Sequence, residues 1–278
     1  MCSVVARDCN VLGIQTQGEA KMEARTVNIA NGWIWIKQGY WLFKKSPVLL
    51  VVLTAIAVVS LMGIAAIPVV GDPLATLLFP VIFAGFMLGC RALEHGEELE
   101  LAHLFAGFHG HATQLVALGG INLVSQLLIL GAMALTGGAT LVSILMSGHH
   151  AEDPTVLTQA IAGAGLALLL GIALFTLLLM AMQFAPMLIL FDKISPVTAM
   201  KTSFRACLHN LMPLMMYGAM LLPFAILASV PLMMGWLILL PVMITSLYAA
   251  YRDLFPTEVD TDATTAGETN GQDEQAHF

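Results

Sequence analysis

Six apolar runs constrain this chain more than any other feature of its sequence. A hydrocarbon layer of about 30 Å is crossed by a helix of about 20 residues, and the runs are close to that length or longer. They lie near residues 48–68, 74–90, 114–136, 163–191, 212–229 and 233–251. None shows the alternation of barrel strands, so their backbone hydrogen bonds must be satisfied within helices.

Composition supports a membrane protein. The chain is 58% hydrophobic and only 10% charged, whereas soluble domains contain about 25% charged residues. We therefore predict an all-α, polytopic membrane protein whose six transmembrane helices occupy a membrane domain at 26–255.

The basic residues predict the orientation of this domain. In a six-span arrangement all eleven fall on one side of the membrane: Arg7, Lys21, Arg25, Lys37, Lys44, Lys45, Arg91, Lys193, Lys201, Arg205 and Arg252. By the positive-inside rule, both termini and the loops after the second and fourth spans are cytoplasmic.

The two ends of the chain lack apolar periodicity. Residues 1–25 are predicted to be a disordered cytoplasmic extension, with translation beginning at Met1 or at Met22. Residues 256–278 carry six acidic and no basic groups and are predicted to be a disordered, acidic cytoplasmic tail. An acidic tail disfavours nucleic acid as a partner.

The segment before the first span predicts an interfacial helix. Trp33, Ile36, Tyr40 and Phe43 recur at steps of three, four and three residues, which is the spacing of one helical face. Aromatic rings and lysines suit the headgroup layer, where rings are half wet and ammonium groups reach phosphates. The helix is either an anchor for the first span or a contact surface for lipids or a partner protein.

Ten residues are predicted to lie at the membrane interface. They combine the aromatic segment with basic residues near the ends of the spans: Trp33, Trp35, Tyr40, Trp41, Lys44, Lys45, Arg91, Lys201, Arg205 and Arg252.

Internal similarity indicates a repeat. Residues 78–94 and 239–255 are identical at five of 17 positions at a constant offset of 161, and the identities include Pro80 with Pro241 and Arg91 with Arg252. We predict three parallel repeats, each an interfacial helix followed by a helical hairpin. Bends are predicted at Gly137-Gly138 and at Pro186.

A cluster of acidic residues and histidines is the candidate metal or acid-base site. Glu100, His103 and His111 would lie along one stripe if a single helix contained all three. We predict a solvated helix face without a bound metal, and a docking surface or a metal or acid-base site is the alternative.

The spans favour few kinds of chemistry. They contain no ionisable residue near mid-membrane, which disfavours ion-coupled transport, and the chain has no phosphate-binding or hydrolase motif. Asn122, Gln126 and Gln183 are candidates to line a cavity. We expect neither an enzyme nor a cofactor.

Three strings carry a family resemblance: MEARTVNIANGWIWIKQGYWLFKKSP at 22–47, RALEHGEELELAHLFAGF at 91–108 and SLYAAYRDLF at 246–255. They resemble an uncharacterised family of six-span bacterial inner-membrane proteins, and more distantly the membrane domains of some glycerophosphodiester phosphodiesterases. The resemblance implies a location in the bacterial inner membrane and brings no catalytic residues.

The functional prediction is a non-enzymatic integral inner-membrane protein that acts through contacts with membrane lipids or with a membrane protein. The alternative is a carrier or channel for a lipid or small apolar solute. A metalloenzyme at His103 and His111 is a third hypothesis.

Overall fold

The computed structural model describes residues 24–108, 110–139, 142–143, 164–230 and 233–256. The predicted N-terminal extension falls almost wholly on residues 1–23 and the predicted acidic tail on residues 257–278, so both predictions lie outside this described part. Every regular element within it is helical, which confirms the predicted all-α class.

Six helices in the described ranges are long and apolar enough to cross a membrane, as predicted. They are Pro47–Ala65, Gly71–Glu94, Ala112–Gly138, Gly165–Asp192, Leu211–Ser229 and Trp236–Leu254. In chain order, the α-helical elements are α1 (Asn31–Lys45), α2 (Pro47–Ala65), α3 (Gly71–Glu94), α4 (Ala102–Ala106), α5 (Ala112–Met133), α6 (Gly165–Met182), α7 (Ala185–Asp192), α8 (Pro196–His209), α9 (Leu211–Ser229) and α10 (Trp236–Leu254).

The chain forms two compact units. The terminal unit combines the residues up to Lys44 with those from Leu208 onward, and the central unit runs from Lys45 to Cys207. The three segments predicted as interfacial helices differ in length: α1 has 15 residues, α4 has five and α8 has 14. The threefold repeat stays a prediction.

The third span bends where its sequence predicts. A π-helical turn, Ala134–Gly138, follows α5, and within it Gly137 has a φ of 98°. A positive φ of this size is easy for glycine because it lacks a Cβ. The Thr136 hydroxyl donates to the carbonyl of Ala132 at 3.0 Å, which satisfies one acceptor beside the bend.

The fourth span breaks between α6 and α7, with Pro186 in the first turn of α7. The break is therefore beside the predicted proline, because proline is compatible with a first helical turn but not with a helix interior. From α8, the fully buried Ser203 accepts the Phe184 amide at 3.0 Å and donates to the Met180 carbonyl at 2.8 Å. One hydroxyl thus serves a donor and an acceptor on the two sides of the break.

The Cys207 thiol, one turn after Ser203, also donates to the Met180 carbonyl, at 3.4 Å. Burial raises the pKa of this thiol to about 12, so it stays protonated and able to donate at neutral pH. Side chains of α8 therefore bind two backbone groups of the fourth span, one on each side of the break.

Small residues allow α4 to lie directly on α3. A Cβ built on Gly85 would be 2.5 Å from the Leu104 carbonyl oxygen, and one built on Gly107 would collide with the Val81 carbonyl oxygen. Gly85 and Gly89 are four residues apart, and small residues at this spacing favour close packing of helices. Both contacts lie within the central unit.

Candidate lipid interface on the first helix

Helix α1 has a buried face that packs on two of the candidate spans. A Cβ on Gly32 would be 2.5 Å from the Pro213 carbonyl oxygen of α9, and a Cβ on Gly39 would be 2.5 Å from the Ser246 Cα of α10. The Thr245 hydroxyl donates to the Gly39 carbonyl at 2.9 Å. Because these glycines are seven residues apart, they lie on the same side of α1 and let its backbone approach both partners.

Polar and aromatic contacts complete this packing. The rings of Trp35 and Tyr217 meet edge to face with centroids 6.2 Å apart. The Tyr217 and Ser246 hydroxyls share a hydrogen bond of 2.7 Å. The terminal unit thus holds α1 against α9 and α10 through side chains whose polar atoms are paired.

Asp253, in the last turn of α10, fixes the beginning of α1. Its Oδ1 accepts from the Arg25 guanidinium at 2.7 Å, and its Oδ2 accepts from the Asn31 amide at 2.7 Å and the Trp35 indole N–H at 2.8 Å. We call Arg25, Asn31, Trp35 and Asp253 the Asp253 cluster. Sequence reasoning missed it, although a carboxylate at the end of an apolar span is a signal that polar partners are nearby.

Trp35 is the clearest correction to the predicted set of interface residues. Its side chain is 0% exposed and its indole N–H is bound to Asp253, so it cannot meet headgroups. A tryptophan supplies a large apolar body and one donor, and here both are used inside the terminal unit.

The segment before α1 is tied to the ends of the same spans. Asn210, which is fully buried, accepts the Val27 amide at 2.9 Å and donates to the Arg25 carbonyl at 3.0 Å. The Arg25 amide donates to the Leu254 carbonyl at 2.8 Å. These bonds place the start of α1 beside the end of α10.

The opposite side of α1 is exposed and combines aromatic rings with lysines. Trp33, Tyr40 and Trp41 are 37%, 48% and 62% exposed. The Lys37 ammonium is 5.5 Å from the centre of the Trp33 ring, and the Lys44 ammonium is 4.7 Å from that of Tyr40. We call these five residues the outer face of α1. Each cation–π contact at such an exposed site contributes about 0.5–1 kcal/mol and holds an ammonium group above a ring.

The remaining predicted interface residues have different surroundings. In the central unit the Lys45 ammonium donates to the Leu93 carbonyl at 2.8 Å, where it compensates the negative end of α3. The Arg91 guanidinium lies 5.4 Å from the centre of the Phe191 ring. Lys201, Arg205 and Arg252 are exposed. Lys45 therefore caps the C-terminus of α3.

The three candidate metal residues do not lie on one helical face. Helix α4 ends at Ala106, and Gly110 has a φ of 83°, so Glu100, His103 and His111 do not share one helix. The His103 ring instead accepts the Glu100 amide through Nδ1 at 3.0 Å. Among the residues that the structure describes, no group of three His, Cys, Asp or Glu side chains could hold a metal ion.

The predicted cavity residues lie on two elements of the central unit. Asn122 and Gln126 are half-buried and one turn apart on α5, and Gln183 is half-buried in the break between α6 and α7. A cavity shared by the three stays a prediction.

A probable inner membrane protein of Burkholderia thailandensis is similar to this chain. The two are 32% identical over 203 residues, which are 71% of this chain and 74% of the relative. The chain belongs to this family of inner membrane proteins. No family model matches the chain, and no solved structure matches it. For this inner membrane protein, the more distant resemblance to phosphodiesterase membrane domains stays a prediction.

Proposed function

We propose that this inner membrane protein acts without catalysing a reaction, through contacts between the outer face of α1 and anionic lipid headgroups. The observation that carries the proposal is the pair of lysines held above exposed rings on that face. The face opposite is occupied by α9 and α10, so α1 cannot rotate to hide its rings and ammonium groups.

The chemistry of the outer face suits a headgroup layer. Exposed Trp41 and Tyr40 can bury their apolar edges among acyl chains and keep polar atoms wet. Each lysine near an anionic surface contributes about 1 kcal/mol, and both ammonium groups are already positioned. A simple depth anchor, the other interpretation of this helix, would show no preference for anionic over zwitterionic lipid.

Lys37→Gln and Lys44→Gln are each expected to weaken phosphatidylglycerol binding about fivefold, the equivalent of about 1 kcal/mol, and to leave phosphatidylcholine binding unchanged. Native mass spectrometry of the purified protein in detergent, titrated with either lipid, measures both affinities. Lys193→Gln is the matched control, because it removes the same charge from an exposed lysine outside the outer face. Equal losses in all three variants would reject the outer face as the lipid site.

The aromatic contribution is measured by the same titration. Trp41→Leu should weaken the binding of phosphatidylglycerol and of phosphatidylcholine by the same factor. Phe105→Leu is its control, since Phe105 is 60% exposed and lies outside α1.

We also propose that the outer face lies on the cytoplasmic side, with both termini, as the distribution of basic residues indicates. In intact cells, an impermeant thiol reagent is expected to label Asp72→Cys and Ala151→Cys and to spare Lys45→Cys. Labelling of Lys45→Cys with protection of the other two positions would show that the orientation is the reverse of the proposed one.

A further inference from the structure

The outer face of α1 is cationic, and another part of the same chain has the opposite charge. Residues 256–278 contain six acidic side chains and no lysine or arginine. Three of the six, Glu258, Asp260 and Asp262, come directly after the end of α10 and are two residues apart. In an extended chain, residues two apart point to the same side.

The described residues place the end of α10, which precedes this acidic stretch in the chain, next to the start of α1. The Leu254 carbonyl accepts a hydrogen bond from the Arg25 backbone N–H at 2.8 Å, and the Asp253 carboxylate accepts one from the Asn31 side-chain amide at 2.7 Å. Pro256 is exposed. The chain therefore leaves α10 beside the first residue of α1, and not at a distant point of the terminal unit.

The lengths are compatible with contact. Along α1 the distance from Asn31 is about 9 Å to Lys37 and about 20 Å to Lys44, at 1.5 Å per residue. From Pro256 to Asp262 an extended chain reaches about 20 Å. Lys37 and Lys44 are seven residues apart and so lie on one side of the helix, where a single strand of chain can follow both.

We propose that the acidic stretch at 257–262 binds the outer face of α1 through Lys37 and Lys44 and competes there with anionic lipid. The competition rests on the proposed lipid function, whereas the contact between the stretch and the two lysines does not. Exposed ion pairs are individually weak, but a short tether supplies an effective concentration on the order of millimolar. The tether therefore favours repeated rebinding of the stretch, and because each ion pair is weak, anionic lipid can displace it.

Cross-linking tests the contact in the absence of lipid. The full chain in a non-ionic detergent at low salt is treated with a zero-length carbodiimide, which joins carboxylates to amines in direct contact, and the linked peptides are identified by mass spectrometry. We expect Lys37 and Lys44 to be linked to Glu258, Asp260 or Asp262 at least fivefold more than the exposed Lys193, and high salt to abolish the difference. Equal linkage to Lys193 would overturn the proposal.

Lipid titration tests the competition. The triple variant Glu258→Gln, Asp260→Asn, Asp262→Asn is expected to bind phosphatidylglycerol three- to tenfold more tightly. The matched control, Glu268→Gln, Asp273→Asn, Glu274→Gln, removes the same charge farther from α10 and should change the affinity less than twofold. A gain of equal size in both variants would indicate general repulsion between tail and lipid, and would overturn the specific contact.

The two proposals fail in different ways. Selective cross-links, together with an unchanged lipid affinity in Lys37→Gln and Lys44→Gln, would uphold the contact and reject the lipid function of the outer face. Loss of lipid binding in Lys37→Gln and Lys44→Gln without selective cross-links would uphold the lipid function and reject the contact.

Discussion

Gly39→Ala is expected to destabilise the protein by about 3 kcal/mol, although it adds one methyl group. That methyl would lie 2.5 Å from the Ser246 Cα, which belongs to the backbone of α10 and cannot swing away like a flexible side chain. Overpacking of this kind costs about 1–3 kcal/mol or more, and here it also stretches the hydrogen bond from Thr245 to the Gly39 carbonyl. Thermal unfolding in detergent, followed by circular dichroism, measures the effect.

Gly63→Ala is the matched control for that experiment. Gly63 is also within a helix, but a Cβ built on it meets nothing within 4 Å. Alanine is a better helix former than glycine by about 1 kcal/mol, so this variant should be as stable as the parent or slightly more stable. Similar melting temperatures for Gly39→Ala and the parent would show that α1 does not pack closely on α10.

Asp253→Ala is expected to destabilise the protein by about 3 kcal/mol. The substitution removes the acceptor of three hydrogen bonds, and an unsatisfied buried donor costs about 1–3 kcal/mol. The Trp35 indole is fully buried and has no access to water as a replacement. Denaturation in a series of detergent mixtures, read by tryptophan fluorescence, measures the loss.

Arg25→Ala separates the ion pair from the rest of the Asp253 cluster. The Arg25 side chain is 58% exposed, and exposed ion pairs contribute about 0–1 kcal/mol. We therefore expect Arg25→Ala to cost less than about 1 kcal/mol, with Trp35 and Asn31 still bound. A loss as large as that of Asp253→Ala would mean that the ion pair, and not the buried donors, stabilises the start of α1.

These two predictions concern how α1 is held, and the proposed function depends on that. Gly39 and Asp253 fix one side of the helix to α10, which leaves Trp33, Lys37 and Trp41 directed away from it. If either contact is removed, we expect the lipid preference of the outer face to weaken together with stability. A variant that lost stability and kept full lipid selectivity would separate the two properties.

Several features of the fold could be predicted from local sequence. The six apolar runs leave helix as the available structure, because a backbone in lipid has no water to bind. Gly137 and Pro186 mark bends for equally local reasons, since one tolerates a positive φ and the other suits a first helical turn. Gly85 and Gly89 indicate close packing because they remove the side chains that would keep helices apart.

Other features depended on contacts between residues far apart in the chain. The predicted aromatic face of α1 is divided in the structure: Ile36 and Phe43 are buried, whereas Trp33 and Tyr40 are exposed. Both sides of this helix are apolar, so hydrophobic periodicity could not say which side packs on protein. The glycines at 32 and 39 carried that information through their small size.

The sequence by itself determined the helices, the number of candidate spans and the places where two of them bend, because these follow from interactions within a few residues. The tertiary structure decided that Trp35 lies inside and that Asp253 collects three donors. Those outcomes depend on which surfaces meet across more than 200 positions, as Arg25 and Asp253 do. No local pattern of hydrophobicity or charge specifies such a meeting.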